Sequence, residues 1–389
     1  MPWPVFPIFK AFVSVLKKVY IAVINDLVTD QRVHRVAKLL SEEGVEVTCI
    51  GRQLKDSPLP QNVPFRIFRF KMIFNKGPLF YACFNLRLWL KLMFTGKTDL
   101  IISNDLDTLP ACLLGSRLRR IPLIYDSHEF FTQMPELIHR KAVQRIWKWI
   151  EGFCLPRLRY ALTVSYSIAT IYRRLYGIPF RVVRNTPEKI DSITLQNARE
   201  KNQEKQMIIY QGALNVGRGL ENLIDAMLYL EDAQLLIAGG GDIEHDLHLR
   251  VKEKGLGKRV RFVGRLQPAD LLTLTAQADL GISLEEDLGL NYRYALPNKL
   301  FDYIQCRVPV LSSSLPEMAR IVESYGVGVC TPEKDPEKLA GVIRYMLKER
   351  LGGSWMEALE KAAEDLCWEK ESVVYRALLQ ECGVILKTL

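Results

Sequence analysis

"MIIYQGALNVGRGLENLIDAM", residues 207–227, passes from an apolar run through a glycine-rich loop into a helical pattern. Met207 to Tyr210 form a short continuous apolar run, as in a strand buried on both faces. Gly212, Gly217 and Gly219 leave the following loop open to close backbone approach. Leu220, Leu223, Ile224 and Met227 then fall on one helix face. Strand, loop and helix make half of a βαβ unit, and a chain that repeats the unit builds a parallel sheet covered by helices.

The rhythm extends in both directions. Upstream, 19–24, 45–50, 99–103, 121–125 and 161–165 read as buried strands, and Val33, Val36, Ala37 and Leu40 mark a helix face between the first two. Downstream, 233–241, 259–264, 278–283, 308–313 and 326–330 continue it, and helical segments follow around 336–350 and 354–381. A polar stretch, 187–206, interrupts the pattern and reads as a linker. A chain of 389 residues exceeds one ordinary core. The expected fold is α/β: two Rossmann-like, doubly wound domains, 1–185 and 186–365, facing each other across a cleft.

Ligands of such sheets bind beyond the carboxyl ends of the strands. Arg218 stands where a helix begins, beside free N–H groups, which suits a phosphate; its alternative is a solvated surface arginine. Gly240 lies in a triple glycine after the strand at 233–238, a weaker signal that plain turns also give. In "YALPNKLFDYIQCRVPV" (294–310), Pro297 fits the first helical position, while Asn298 and Lys299 sit where helix amides meet an anion. Leu300 belongs to the buried face, and Asp302, one turn on, can accept hydrogen bonds from a ribose diol. A Lys–Asp pair on a solvated face is the plainer reading.

In the first half, "SNDLDTLP" (103–110) and "YDSHEFF" (125–131) follow strands. His128 is one of five histidines and sits at a strand end. Asp105 and Asp107 have the spacing of metal carboxylates, but read better as helix-capping or acceptor-binding residues. Dinucleotide, P-loop and nucleophile-elbow motifs are absent from the sequence, which removes the main support for dehydrogenase, ATPase and hydrolase readings.

In order and spacing these stretches resemble the retaining glycosyltransferases of glycosyltransferase family 4, which have the GT-B fold. "NDLDTLPACLLGSRLRRIPLIYDSHE" is similar to the strand pair that ends in the family's loop histidine. "YQGALNVGRGLENLIDAM" resembles its donor-diphosphate loop, and "VRFVGRLQPADLLTLTAQADLGIS" the next donor-side segment, with Phe262 near the base pocket. "PNKLFDYIQCRVPVLSSSLPEM" resembles the nucleotide-sugar helix. "CWEKESVVYRALL" looks like the terminal helix, so 366–389 is expected to pack back on the first domain.

The resemblance implies that His128 contacts the donor sugar, that Arg218 and Lys299 offset charge on the leaving diphosphate, and that Asp302 holds the ribose. Gly212, Gly240, Phe262, Tyr294, Pro297, Asn298 and Leu300 complete the implied donor site. The donor would be UDP- or GDP-linked, with no cofactor and no metal. Three features depart from the family. Its usual glutamate pair falls on Tyr294 and Asp302, an arginine often found after the first loop glycine is Ala213, and its N-terminal glycine loop is "NDLVTDQR" (25–32). There Asp30 and Arg32 could bind acceptor or cap the helix.

Charge is uneven. Residues 1–185 hold 28 Lys and Arg against 13 Asp and Glu, while the remainder is mildly acidic, within a net charge of +9. Residues 57–98 contain no acidic residue, and seven Lys and Arg lie among aromatics in 66–97. That composition suits an anionic membrane face, to which 5–18 could add an interfacial helix; 78–94 is also apolar enough to be a core helix. A lipid-linked or glycan acceptor would fit. No nucleic-acid-binding module is recognisable, and no segment reaches the roughly 18 apolar residues of a membrane span. The N-terminus reads as a poor secretory signal, and eight scattered cysteines suit a reducing, cytoplasmic compartment. Two other readings stay open: a nucleotide-sugar epimerase using His128 and Glu129, and a sugar-nucleotide-binding subunit without catalysis.

Overall fold

The computed structural model describes residues 18–383, except 29, 56, 59, 61, 192–193 and 197–205. The possible interfacial helix at the N-terminus, save Lys18, and part of the linker lie outside the described residues. The first sheet holds β1 (Lys18–Ala22), β2 (Glu46–Gln53), β3 (Arg66–Lys71), β4 (Leu100–Asn104), β5 (Leu123–Ser127), β6 (Tyr160–Thr163) and β7 (Arg181–Val182). Their order is β3-β2-β1-β4-β5-β6-β7, all parallel. The second sheet holds β8 (Gln206–Gln211), β9 (Ala233–Ala238), β10 (Val260–Gly264), β11 (Leu280–Ser283), β12 (Val310–Ser313) and β13 (Gly328–Thr331). It is also parallel, in the order β10-β9-β8-β11-β12-β13. These are the two doubly wound, Rossmann-like sheets read from the sequence. In each, the order reverses beside the first strand, where a crevice opens beyond the strand ends.

Two strands escaped the sequence pattern, and both lie at or near the sheet's margins. β3, "RIFRFK", mixes cations with aromatics: Phe70 is buried, while Phe68 is exposed beneath the Lys91 ammonium, 4.3 Å from its ring. Charge on a sheet edge discourages edge-to-edge pairing. β7 has only two residues. The apolar run at 78–94 is the helix Gly77–Phe94, which buries Phe80, Phe84, Leu88 and Leu92 at a spacing of four. Leu79, Leu86 and Phe94 point outward. One face of that run is core, as one reading expected, and the other is exposed.

The helix Trp368–Glu381 packs on the first sheet. Trp368, Tyr375, Leu378 and Leu379 join a core with Val19, Ile21, Val47 and Cys49. Glu371 accepts from the Arg184 backbone N–H at 2.7 Å and from its Nε at 2.6 Å, and the Trp368 N–H donates to the Pro187 carbonyl at 2.7 Å. The chain thus leaves the first domain and re-enters it at neighbouring points.

Candidate active site

β8 ends at Gln211, and the glycine loop turns at once beneath the end of β9. Gly239 has φ +144°, and a Cβ there would lie 1.9 Å from the Gly212 carbonyl oxygen, so the close approach requires glycine. Gly217 (φ +82°) leaves room for Leu288, whose Cδ1 would be 2.3 Å from a Cβ. The loop is thereby clamped to the segment that follows β11, and Arg218 is delivered to the cleft. From the other side comes the helix Asn298–Gln305, with Pro297 as its N-cap, one position earlier than the sequence suggested. Leu300, Phe301 and Ile304 are buried in the core, which turns Lys299 toward the cleft.

The two cations meet over one carboxylate. Lys299 Nζ lies 2.8 Å and Arg218 Nη1 3.4 Å from Glu285 Oε1. Glu285 is fully buried, and burial opposes its charge, but Lys299 and Arg218 outweigh that and hold its carboxyl below the ordinary range. Lys299 also sits 4.0 Å from the Tyr210 ring centre. Two cations against one anion leave a surplus positive charge. Lys299 Nζ, beyond its ion pair, and Arg218 Nε make no hydrogen bond among the described residues, so N–H capacity remains for a ligand.

His128 reaches the same cavity from the end of β5. Its backbone N–H donates to Asp105 Oδ1 at 2.8 Å, and its Nε2 lies 3.1 Å from Asn104 Oδ1. Asp105 Oδ2 stands 3.6 Å from Nδ1, and Asp126 Oδ2 3.8 Å from Nε2. Burial opposes protonation, but Asp105 and Asp126 outweigh it and lift the imidazole to about 9. The ring is therefore an imidazolium at neutral pH.

Arg218, His128, Lys299, Gly212, Pro297, Asn298, Asp302 and Arg32 all line one interdomain cavity of about 480 Å³. Arg32 has little left to offer an acceptor. Its guanidinium is spent on Asp126 (3.0 and 2.7 Å) and the Val183 carbonyl (2.7 Å). Asp302 accepts from Gln211 Nε2 at 2.8 Å; burial raises its carboxyl to about 6, against the pull of Arg35 and Gln211. Gln211, Leu271 and Asp302 also border a second cavity of about 710 Å³, walled by Arg35, Pro268 and Thr275.

Other expected residues stand elsewhere. Asp30 caps the helix Gln31–Glu42 by accepting from the Val33 N–H. Asp105 has φ 58°, a left-handed conformation that lets it reach back to His128. Asp107 is buried, and burial beside Asp105 pushes its carboxyl well above the ordinary range. Among the described residues no cluster of three His, Cys, Asp or Glu is placed to hold a metal ion. Phe262 packs on His248, ring centres 3.9 Å apart, and lines neither cavity; Gly240 faces Arg265 and Glu244. Tyr294 packs against the first-domain core, and its carbonyl accepts from Ser165.

Sequence reasoning missed Glu285 and Asn291. Glu285 follows β11 directly in "GISLEED" (281–287), where the residues after a strand end deserved the same inspection as those after β8. Asn291 lies on a one-turn helix, Leu290–Arg293, whose sequence carries no local signature. Its carboxamide joins the two domains: Oδ1 accepts from the Phe130 N–H at 2.9 Å, and Nδ2 donates to Glu129 Oε2 at 3.0 Å.

The Glycosyltransferase Family 4 domain matches residues 30–186, and the Glycosyl transferases group 1 domain matches 191–365. Among curated relatives, the uncharacterized glycosyltransferase MJ1607 of Methanocaldococcus jannaschii is 27% identical over 56% of this chain, and the probable glycosyltransferase WbjE of Pseudomonas aeruginosa 28% over 45%. The matched stretches span 56% and 46% of those relatives' own lengths, about half. Among solved structures, sucrose-phosphate synthase of Thermosynechococcus elongatus superposes with TM-score 0.77 at 17% identity, over 94% of this chain and 98% of that one. Anabaena HepE, in complex with UDP and glucose, gives 0.70 at 16%, over 94% and 100%. At such identities the likeness is one of fold. Two glycosyltransferase domains in tandem, folded as facing Rossmann-like halves, place the chain among proteins of the GT-B glycosyltransferase fold.

Proposed function

We propose that the protein transfers a sugar from a nucleoside diphosphate donor to a glycan or lipid-linked acceptor, with retention of configuration, in the synthesis of cell-surface polysaccharide or glycoconjugate. One observation carries this reading: Arg218 and Lys299 converge on the cavity with N–H capacity unspent. Breaking a sugar–phosphate bond builds negative charge on the diphosphate, and fixed cations in a water-poor site stabilise it. They supply the charge that a divalent ion would, so the reaction is proposed to run without metal. The C1–O bond to the β-phosphate breaks, and the acceptor hydroxyl bonds to C1 on the same face. Its proton passes to the departing phosphate, which removes the need for a carboxylate nucleophile. The His128 imidazolium would contact the donor sugar, and Asp302 would accept from the ribose diol. The base would enter the second cavity toward Leu271 and Pro268. Neighbouring HepE was solved with UDP-glucose, which makes UDP the first nucleotide to try.

The acceptor is proposed to reside on an anionic membrane. The helices Gly77–Phe94, Leu109–Arg119 and Lys141–Cys154 pack side by side on the first sheet. Their outward surfaces join Phe94 (84% exposed), Leu118 (57%) and Trp149 (71%) with Arg87, Arg117 and Lys148. Apolar groups among cations suit the headgroup region of acidic lipid. This face is wider than the stretch 57–98 that the sequence indicated, and only the outward residues of that stretch belong to it. No helix among the described residues is long and apolar enough to cross a membrane.

Incubation with labelled UDP- and GDP-sugars, with and without membrane lipid extract, tests the function. Transfer that requires extract supports it. Conversion of the donor alone would favour an epimerase, and binding without turnover a non-catalytic subunit.

A further inference from the structure

The segment between β11 and the helix Asn298–Gln305 reaches both cations, the loop after β8 and the His128 loop. Glu285 pairs with both cations. Leu288 packs into the space beside Gly217, and the Tyr292 hydroxyl donates to the Val216 carbonyl at 3.3 Å. The Arg218 guanidinium lies 5.1 Å from the Tyr292 ring centre. Between these anchors stands Asn291, 8% exposed, on the one-turn helix Leu290–Arg293. Its partners are the two residues after His128, in the opposite domain. The Phe130 N–H can only donate, so the carboxamide oxygen must face it and the NH₂ must face Glu129. Both halves of the side chain are used, and both contacts cross the cleft.

We propose that Asn291 is a positioning residue that sets the His128 loop against the donor sugar when the cleft is closed. One segment would then assemble the diphosphate cations from its own domain and the histidine from the other. This rests on reading the cavity as a donor site. Alanine at 291 would leave the Phe130 N–H and the Glu129 carboxylate unpartnered and free the loop. Aspartate would keep the bond to Phe130 but set a second carboxylate against Glu129. Asp105 and Glu136 already bear on Glu129 from the acidic side, against His128, and Tyr292 lies close by. A second carboxylate at that distance cannot ionise without repulsion unless the pair shares a proton.

The test compares kcat of Asn291→Asp with wild type from pH 5 to 9, using UDP-glucose or the donor that the panel identifies. The expected ratio is a loss of about 10- to 100-fold at pH 8, the scale of a misplaced catalytic group. It should shrink as pH falls, with donor KM changed less than about threefold. Adding Glu129→Gln, whose amide can donate to the new carboxylate, should remove most of the loss and its pH dependence relative to Glu129→Gln alone. Amide hydrogen exchange of peptides covering 128–133, with UDP as ligand, gives an arm that needs no turnover. Exchange there should accelerate in Asn291→Ala while the peptides of β8 and β9 stay protected. If no donor is turned over, the catalytic reading fails and the exchange arm alone decides the clamp. A pH-independent loss without rescue, or unchanged exchange in Asn291→Ala, would overturn the proposal.

Discussion

Lys299 Nζ stands 2.8 Å from Oε1 of Glu285, and that carboxylate has no solvent exposure at all. A buried ion pair is costly to half-dismantle, because the surviving charge keeps its desolvation penalty. Here the geometry makes Glu285 a holder of cations, and its removal should disturb both of them.

Replacing Arg218 or Lys299 with Ala should therefore lower kcat/KM by ten- to a thousand-fold, on the order of 1.4–4 kcal/mol of lost transition-state stabilisation. Steady-state kinetics on each variant checks this. Near-normal values in both would sink the diphosphate assignment.

Glu285→Gln should destabilise the fold and also change its acid limb. The carboxyl of Glu285 is depressed in the folded chain. Its stabilising contribution is present above the unfolded value of about 4.3 and is lost as pH falls through the lowered one. Thermal unfolding from pH 3 to 7 should therefore show a shallower acid decline in the variant. Parallel curves would mean that Glu285 is not held ionised by its two neighbours.

His128 is lifted to about 9, so the sign runs the other way. The stabilisation from its charged form is full below the unfolded value of about 6.5 and disappears as pH rises through 9. Activity should fall along an alkaline limb near that pH, and His128→Gln should lower kcat and abolish the limb. A limb that persists in the variant belongs to another group.

Activity should survive EDTA, because two cations already serve the proposed phosphate position. Loss on chelation with recovery in Mn²⁺ would instead direct attention back to Asp105 and Asp107.

Vesicles of acidic lipid should sediment the protein, and neutral ones should not. Attraction of about 1 kcal/mol per basic residue near the headgroups suffices for reversible binding, and salt should weaken it. Trp149→Ser with Lys148→Glu, both on an outward helix face, should reduce the bound fraction while leaving secondary structure intact. Equal, negligible binding to both vesicle types would point to a soluble acceptor.

How much of this was legible from residues in order depends on distance along the chain. The strands of both sheet centres, the glycine loop and the helix bearing Lys299 are local patterns, and a short window contains all their causes. Arg32 and Asp126 are 94 residues apart and meet in a fully buried, bidentate pair; nothing near either residue announces the other. The same holds for Asn291 and Glu129, 162 residues apart. Phe262, placed by resemblance, packs on His248 outside both cavities, and a strand residue has two faces that sequence order alone does not tell apart.

The hydrogen bond from Trp368 to the Pro187 carbonyl has a topological meaning. Everything between those two residues leaves and returns through a single doorway, so the second half of the molecule is a cassette inserted into the first. Its exchange for another such cassette would need only two splices, side by side, and would spare the first domain's outward helices Gly77–Phe94, Leu109–Arg119 and Lys141–Cys154. The two halves of the chain are therefore separable inheritances, able to be recombined without rebuilding either sheet.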